Sequence, residues 1–353
     1  MDDLLKKLGW NAFFGEHFKE YVGLYEPARV STVYKNGYNI YTNDGKVRAR
    51  ISGNLHQKGD LPAVGDWVAI LKDEIGFATI HAILPRKSKF SRKEAGKITE
   101  EQVIVTNIDT IFIITSLNRD FNLRRIERYL AIVKESETEP VVILNKSDIC
   151  KDVDEKINEV LEIAPGIDVA AISATENEGI DQLSPYIKEG KTVALLGSSG
   201  VGKSTLINAL EGYKRQNIGE IREKDSRGRH VTTERELIML EKGGLIIDNP
   251  GMRELQLWDA GEGMLDLFSD IIEFETQCKF SDCLHETEPG CAVKKAISDG
   301  SLSKKRLESY RKLQKEMQAV ERNKTPQLAG KRRWKKMGKM AKEIKKIKKI
   351  DKM

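Results

Sequence analysis

Apolar and polar positions fall into two regimes along the 353 residues. From Pro27 to about Leu84, short alternating segments are broken by turn signals. ARVSTVY ends at Lys35-Asn36-Gly37, YNIYT ends at Asn43-Asp44-Gly45, and KVRARIS follows. A longer loop, Gly53 to Gly65, leads to DWVAIL and FATIHAIL. Asn-Gly and Asp-Gly pairs between alternating runs mark hairpins, because those residues accept positive φ. Five short strands in this arrangement predict a small closed barrel of the OB type. Past residue 100 the pattern changes. The apolar runs IDTIFIIT (108–115), PVVIL (140–144), DVAAIS (168–173) and TVALL (192–196) alternate with helical stretches near 123–136, 152–163 and 179–189. Continuous Val/Ile/Leu strands between helices predict a parallel sheet covered on both faces.

The flanks differ from both regimes. Residues 1–25 are an apolar lead-in with Leu4, Leu5, Leu8, Trp10, Phe13, Phe14 and Phe18, and no role follows from them. Residues 86–100 are basic and polar and read as a linker. Ser303 to Val320 reads as a charged helix, with Leu307, Tyr310, Leu313 and Met317 at packing positions.

Charge sharpens this picture. The net charge is +5, but Lys331 to Met353 alone holds twelve Lys/Arg against two acids, a local +10 that leaves −5 for the rest. Such a tail is either a nucleic-acid arm or a solvated terminus. In the barrel, Lys46, Arg48 and Arg50 alternate and share a face, and Tyr34, Tyr38 and Tyr41 offer stacking surfaces. That face predicts RNA or single-strand binding; the alternative is a structural barrel with a solvated face. His56 and His81 are isolated and read as surface or packing residues. No apolar run is long enough to span a membrane, and Asp2-Asp3 speak against a signal peptide, so a cytoplasmic location is expected.

The most specific chemistry starts at TVALL. It runs into Gly197-Ser198-Ser199-Gly200-Val201-Gly202-Lys203-Ser204-Thr205, the phosphate-loop pattern G-x-x-x-x-G-K-[ST], followed by a helix start with Leu206, Ile207 and Leu210 on one side. Glycines let successive N–H groups point inward, and the helix N-terminus adds its dipole, so the loop holds phosphate oxygens. Lys203 is placed to reach the β- and γ-phosphates, and Ser204 to ligate Mg²⁺.

Two strand ends upstream choose the base. After Leu144 comes Asn145-Lys146-Ser147-Asp148, the N-K-x-D pattern. The Asp148 carboxylate can accept from both the ring N–H and the amine of guanine, a donor pair that adenine lacks. The Lys146 stem can cover the base plane, and Asn145 can tie its loop to the phosphate loop. After Ile172 comes Ser173-Ala174, whose N–H can meet the guanine carbonyl. Downstream, LII leads to Asp248-Asn249-Pro250-Gly251, the D-x-x-G element: a carboxylate near Mg²⁺ and a glycine N–H for the γ-phosphate. Between lies a polar stretch with Thr232-Thr233. Thr232 is favoured to complete the Mg²⁺ shell, and spacing alone does not separate it from Thr233.

These elements stand in rotated order, with base recognition first, then the phosphate loop, then the switches. The sequence resembles the circularly permuted GTPases, and with its OB-like start and a cysteine cluster it is similar to the RsgA family, also called YjeQ or YloQ, over nearly its whole length. The resemblance implies a multidomain protein: an N-terminal OB-type β-barrel (26–85), a central circularly permuted α/β P-loop GTPase domain (101–260), and a C-terminal zinc-binding helical module (261–330) with a basic tail (331–353). It implies GTP hydrolysis in late maturation of the small ribosomal subunit, with that subunit and its rRNA as partners, and a monomer is expected. The alternative is an rRNA-binding scaffold in which GTP is structural. Ras-like proteins carry a glutamine shortly after D-x-x-G to position water. Here Met252 and Arg253 follow Gly251, and Gln256 is displaced. The family assigns that role to a histidine in G-R-H-T-T-T. This chain reads Gly228-Arg229-His230-Val231-Thr232-Thr233, so His230 is the catalytic candidate, beside Lys203 and Gly251, while Val231 departs from the pattern.

The cysteines complete the reading. Cys278, Cys283, His285 and Cys291 are spaced C-x4-C-x-H-x5-C. Three thiolates and an imidazole form a closed tetrahedral set suited to structural Zn²⁺, and the family carries a zinc site with this pattern. Cys150 stands apart and reads as packing. The permutation has a mechanical consequence, because the chain after Gly251 owes no further strand to the sheet. The loop that senses the γ-phosphate then leads directly into the zinc module.

Overall fold

The structure is a computed structural model that describes residues 3–74, 76–93, 101–136, 138–211, 235–241, 243–248 and 261–324. Thr232, Thr233, His230, Gly251, Gln256 and the basic tail lie outside the described residues. Two compact units emerge: Met1–Asn122 with Ser136–Asn158 and Gly166–Leu255, and Leu123–Glu135 with Glu159–Pro165 and Gln256–Met353.

The first unit begins with the barrel. Strands β1 (Glu26–Tyr34), β2 (Gly37–Thr42), β3 (Gly45–Ile51), β4 (Trp67–Lys72) and β5 (Ala78–Ile83) pair in the order β1-β2-β3-β5-β4. The pairing β1–β4 closes the ring. Its core is the inward set Ala28, Val30, Ile40, Ala49, Val68, Ile70 and Ile80. Alternation explains the charged face: Lys46, Arg48 and Arg50 point out while Ala49 is buried. It also corrects the aromatic reading. Tyr38 and Tyr41 are three apart, so the pleat puts them on opposite faces, and Tyr38 lies in the core. The loop before β4 holds a short helix, Gly53–Lys58, capped by the Ser52 hydroxyl on the Leu55 N–H.

The lead-in acquires a role. Helices Asp3–Lys7 and Ala12–Phe18 bring Trp10 and Phe14 onto the buried Trp67, with Trp10 at 4.8 Å in an edge-on contact and Phe18 packed on Trp10 behind it. Each such aromatic contributes about 1.5–3 kcal/mol of burial. Beneath this plug lies Arg29, fully buried. It donates to the carbonyls of Gly65, Leu8 and Asn107, joining the lead-in, the barrel and the link at Asn107 that follows the strand Glu101–Thr106. Burial lowers its pKa to about 10, with Asp109 and Asp66 opposing the shift. The basic stretch at 86–100 is only partly a connector: β6 (Lys89–Lys93) pairs with β7 (Glu101–Thr106) in a separate ribbon.

The sheet of the first unit runs on from the barrel without a break. Its order is β10-β9-β8-β11-β13-β12-β1, with β8 Thr110–Ser116, β9 Glu139–Asn145, β10 Asp168–Ile172, β11 Thr192–Leu196, β12 Glu236–Met239 and β13 Leu245–Asp248. β10, β9, β8, β11 and β13 are parallel. β12 is antiparallel to β13 and meets β1 at Thr32 opposite Glu236, where Lys46 also bonds Glu236 at 2.8 Å. β8 and β11 are buried at every position, as strands covered on both faces must be. One expected helix is missing. At 179–189 only a 3₁₀ turn forms, Ile180–Leu183. Gly179 is left-handed, with φ +69°, and Pro185 has no N–H to donate, so an α-helix there would lose a hydrogen bond.

In the second unit, α4 (Leu123–Glu135) packs on α7 (Gly261–Leu267), numbering the lead-in helices α1 and α2, Gly53–Lys58 α3, Val153–Ile163 α5 and Lys203–Glu211 α6. The approach is so close that a Cβ on Gly263 would lie 2.1 Å from the Ala131 carbonyl. Glu135 accepts from the Gly263 N–H at 2.8 Å. α8 (Ser269–Glu275), α9 (Ala292–Ser298) and α10 (Lys304–Lys324) complete it. Arg306 clamps them: its guanidinium donates to both Asp270 oxygens and to the carbonyls of Ile163 and Leu267, with Phe268 below the plane.

Candidate functional site

In an open parallel sheet, ligands meet the chain at the carboxyl ends of the strands. Here β9, β10, β11 and β13 all end at one edge, so Asn145-Asp148, Ser173-Ala174, Gly197-Ser204 and Asp248 converge there. The hydrogen bonds link three of these loops directly. Asn145 Nδ2 donates to the Val201 carbonyl at 2.8 Å, and its Oδ1 accepts from the Ala174 N–H at 3.0 Å. Ser173 Oγ donates to Asp148 Oδ1 at 2.6 Å. Lys146, held left-handed at φ 65°, sends Nζ to the Gly200 carbonyl at 2.9 Å. Asn145 and Ser173 are buried, whereas the Asp148 carboxylate stands exposed at the rim.

The phosphate loop takes the form its glycines permit. Gly202 has φ +100°, and a Cβ there would sit 2.2 Å from Asn145 Nδ2. A Cβ on Gly197 would sit 2.4 Å from the Ile114 carbonyl. Lys203 opens α6 and donates to the carbonyls of Gly197 and Ser198 at 2.7 and 2.6 Å. Ser204 and Thr205 follow in the first turn, while Leu206 and Ile207 anchor the helix in the core. Ser204 and Asp248, both half-buried, are the described residues that could hold Mg²⁺ beside a nucleotide. Ser147 opens the 3₁₀ turn Ser147–Ile149. Ser199 lies exposed on the loop.

The second cluster is in the other unit. Ligating atoms of Cys278, Cys283, His285 and Cys291 all lie within 4.8 Å of one another. Sulfur–sulfur separation for Cys278 and Cys291 is 3.9 Å, and His285 Nδ1 lies 3.4 Å from Cys291 and 3.7 Å from Cys278. A tetrahedron with bonds of about 2.3 Å to sulfur and about 2.0 Å to nitrogen has edges of about 3.5–3.8 Å, so the donors fit zinc. His285 sits at φ 61°, which turns its ring inward while Leu284 faces out. Cys291 caps α9, its sulfur accepting from the Lys294 N–H at 3.4 Å. Burial opposes ionisation of Cys291, but that N–H and His285 bring its pKa below the usual thiol value; burial pushes Cys283 up to about 11. The loop is braced by Glu288. Its own N–H and those of Leu284, Glu286 and Thr287 hold its carboxyl down to about 2.

Two residues escaped sequence reasoning. Glu275 Oε1 accepts from His285 Nε2 at 2.9 Å, which leaves Nδ1 for the metal, and Tyr310 reaches Glu275 from α10 at 3.5 Å. The Glu275 carboxylate raises the His285 pKa to about 9. An acid three residues before the first cysteine was the available signal. Asp120, bonded to Ser198, had none.

Known families and relatives match most of this chain. Residues 83–258 match the family model described as RsgA GTPase, and residues 192–328 match one described as 50S ribosome-binding GTPase. The small ribosomal subunit biogenesis GTPase RsgA of Opitutus terrae is 45% identical over 350 residues, covering 94% of this chain and 95% of its own. The protein of the same name from Methanosarcina acetivorans is 46% identical over 310 residues, covering 88% and 84%. Among solved structures, YjeQ from Thermotoga maritima superposes with a TM-score of 0.64 at 27% identity, covering 83% of this chain and 99% of its own. YloQ, a circularly permuted GTPase, gives 0.62 at 25% identity, covering 87% and 98%. With its guanine-type loops ahead of the phosphate loop and relatives along nearly its whole length, this chain belongs to the RsgA family of circularly permuted GTP hydrolases.

Proposed function

We propose that this GTPase binds the small ribosomal subunit, hydrolyses GTP late in its maturation and leaves after hydrolysis. The observation that carries the reading is the bonding of Asn145 to both Val201 and Ala174, which unites base-reading and phosphate loops in one site. The relatives' name, small ribosomal subunit biogenesis GTPase, supports the partner.

Asn145, Lys146, Ser147, Asp148, Ser173 and Ala174 take guanine; Gly197 to Thr205 take the phosphates. Lys203 turns from the loop carbonyls to the β- and γ-phosphates. Mg²⁺ at Ser204, Asp248 and Thr232 would add positive charge at those phosphates. The Gly251 N–H meets the γ-phosphate, and His230 positions the attacking water. Water attacks phosphorus, the bond to the β-phosphate oxygen breaks, and GDP and phosphate result. Cys278, Cys283, His285 and Cys291 would hold zinc, which would cross-link the loop between α8 and α9. The exposed Lys46, Arg48 and Arg50, the zinc module and the basic tail offer charge to rRNA. The boundaries 26–85, 101–260 and 261–330 then correspond to an RNA-binding barrel, a motor and a second RNA-binding module. The protein works as a monomer in the cytoplasm.

Co-sedimentation with purified small subunits tests this. Binding should be strong with a non-hydrolysable GTP analogue and at least tenfold weaker with GDP. Equal pelleting in both states contradicts the cycle.

A further inference from the structure

The loop between β8 and α4 places a carboxylate against the phosphate loop, and none of the nucleotide motifs includes it. Asn118 shapes this loop. Its Oδ1 accepts from the Ser116 hydroxyl at 2.8 Å and from the Asp120 N–H at 2.9 Å, a side-chain turn that fixes the direction of Asp120. β8 and β11 are parallel neighbours, with Ile113 opposite Leu196, so their loops leave the sheet side by side. Across that gap Ser198 Oγ donates to Asp120 Oδ2 at 2.7 Å. Ser198 is the second residue of the phosphate loop, and its carbonyl accepts from Lys203 Nζ at 2.6 Å.

A phosphate loop works only while its peptide planes hold their N–H groups inward, and its glycines make that arrangement costly in backbone entropy. The far half of the ring is held by named bonds, from Asn145 to Val201 and from Lys146 to Gly200. The near half is held from Asp120. A bond to a charged acceptor is shorter and stronger than a neutral one, and Asp120 is half-buried, which limits competition from water.

We infer that Asp120 is a positioning residue for guanine nucleotide: through Ser198 it holds the first half of the phosphate loop in its binding form. It acts on the loop and not on the reacting atoms. The inference rests on the nucleotide site proposed above. Because it shapes the loop before any bond breaks, ground state and transition state benefit alike. Its loss therefore appears in KM and in Kd, with kcat little changed.

The test uses the full chain and four variants: Asp120→Ala, Asp120→Asn, Ser198→Ala and the double Asp120→Ala/Ser198→Ala. Fluorescent GDP and GTP analogues report Kd, and steady-state turnover reports KM and kcat. Asp120→Ala and Ser198→Ala should each weaken both nucleotides about tenfold, as expected for one hydrogen bond to a charged group. For Asp120→Ala, KM should rise in parallel while kcat falls less than threefold. The double variant should be no weaker than either single one. Asp120→Asn, whose amide oxygen can accept the same hydroxyl without the charge, should fall between Asp120→Ala and wild type. Wild-type affinity in Asp120→Ala, additive losses in the double variant, or an Asn variant as weak as the Ala variant overturns the inference alone. A wild-type chain that binds no guanine nucleotide overturns the proposed site along with it.

Discussion

Replacing Glu275 with alanine perturbs the cysteine-histidine cluster without altering a ligand. His285 is 8% exposed, and its Nε2 lies 2.9 Å from Glu275 Oε1. That bond fixes the ring orientation and leaves Nδ1 facing Cys278 and Cys291. Loss of such an outer partner typically costs 10–100-fold in metal affinity, or about 1.4–2.7 kcal/mol. Burial of the ring leaves little room for solvent to replace the carboxylate, so the upper half of that range is expected. Glu275→Gln retains an acceptor without its charge and should fall between. Tyr310→Phe removes a 3.5 Å contact with Glu275 and a 3.2 Å bond from Gln314 Nε2, neither of which touches His285, and should cost less than about threefold in zinc affinity. Zinc affinity is read by competition with a colorimetric chelator at fixed pH. An alanine variant that holds zinc as tightly as wild type refutes the assignment of Nδ1 as the ligand atom and Glu275 as its support.

Other expectations follow from the same geometry. Gly202→Ala forces a Cβ to 2.2 Å from Asn145 Nδ2 at a φ of +100°, so guanine nucleotide binding should fall at least a hundredfold by titration calorimetry while the apo fold survives; near-normal binding argues against the loop geometry. Glu127 on α4 is 1% exposed, and neither carboxylate oxygen has a hydrogen-bond partner among the described residues, although Ser309 stands near. Burial raises its pKa, so its charged form opposes folding; that penalty is absent below the unfolded pKa and develops as pH rises through the folded one. Glu127→Gln should therefore be more stable than wild type by about 1–3 kcal/mol at pH 8 in denaturant titrations, with the gap closing towards pH 4, and a gap independent of pH contradicts this. Arg306→Met strands Asp270 and two carbonyls; because Asp270 is one-third exposed, about 3 kcal/mol is expected from urea unfolding, and a loss under 1 kcal/mol counts against the clamp.

Local pattern made much of this molecule readable. Hairpin dipeptides at Asn36-Gly37 and Asp44-Gly45 delimit barrel strands, and unbroken Val/Ile/Leu runs identify β8, β9 and β11. The nucleotide loops are legible because each follows its strand within a residue. What stayed hidden depends on contacts distant in sequence. Trp10 finds Trp67, Arg29 finds Leu8 and Asn107, and Ser198 finds Asp120, and no periodicity encodes those meetings. Tyr38 was misread because three similar aromatics suggested one surface, while the pleat divides them. At 179–189 the charged and apolar residues resemble a helix, but Gly179 and Pro185 outweigh them. Glu275 and His285 are ten residues apart and meet only because α8 ends beside the metal loop.

The central claim, that GTP hydrolysis by this chain answers to the small ribosomal subunit, is tested most directly by one measurement. GTP turnover is followed with and without purified small subunits across a salt series. Hydrolysis should be slow alone and rise at least tenfold with subunits at low salt. The stimulation should then decline as salt screens contacts with rRNA phosphates. Turnover that is the same with and without subunits at every salt concentration would contradict the account and favour an RNA-binding scaffold that merely holds GTP.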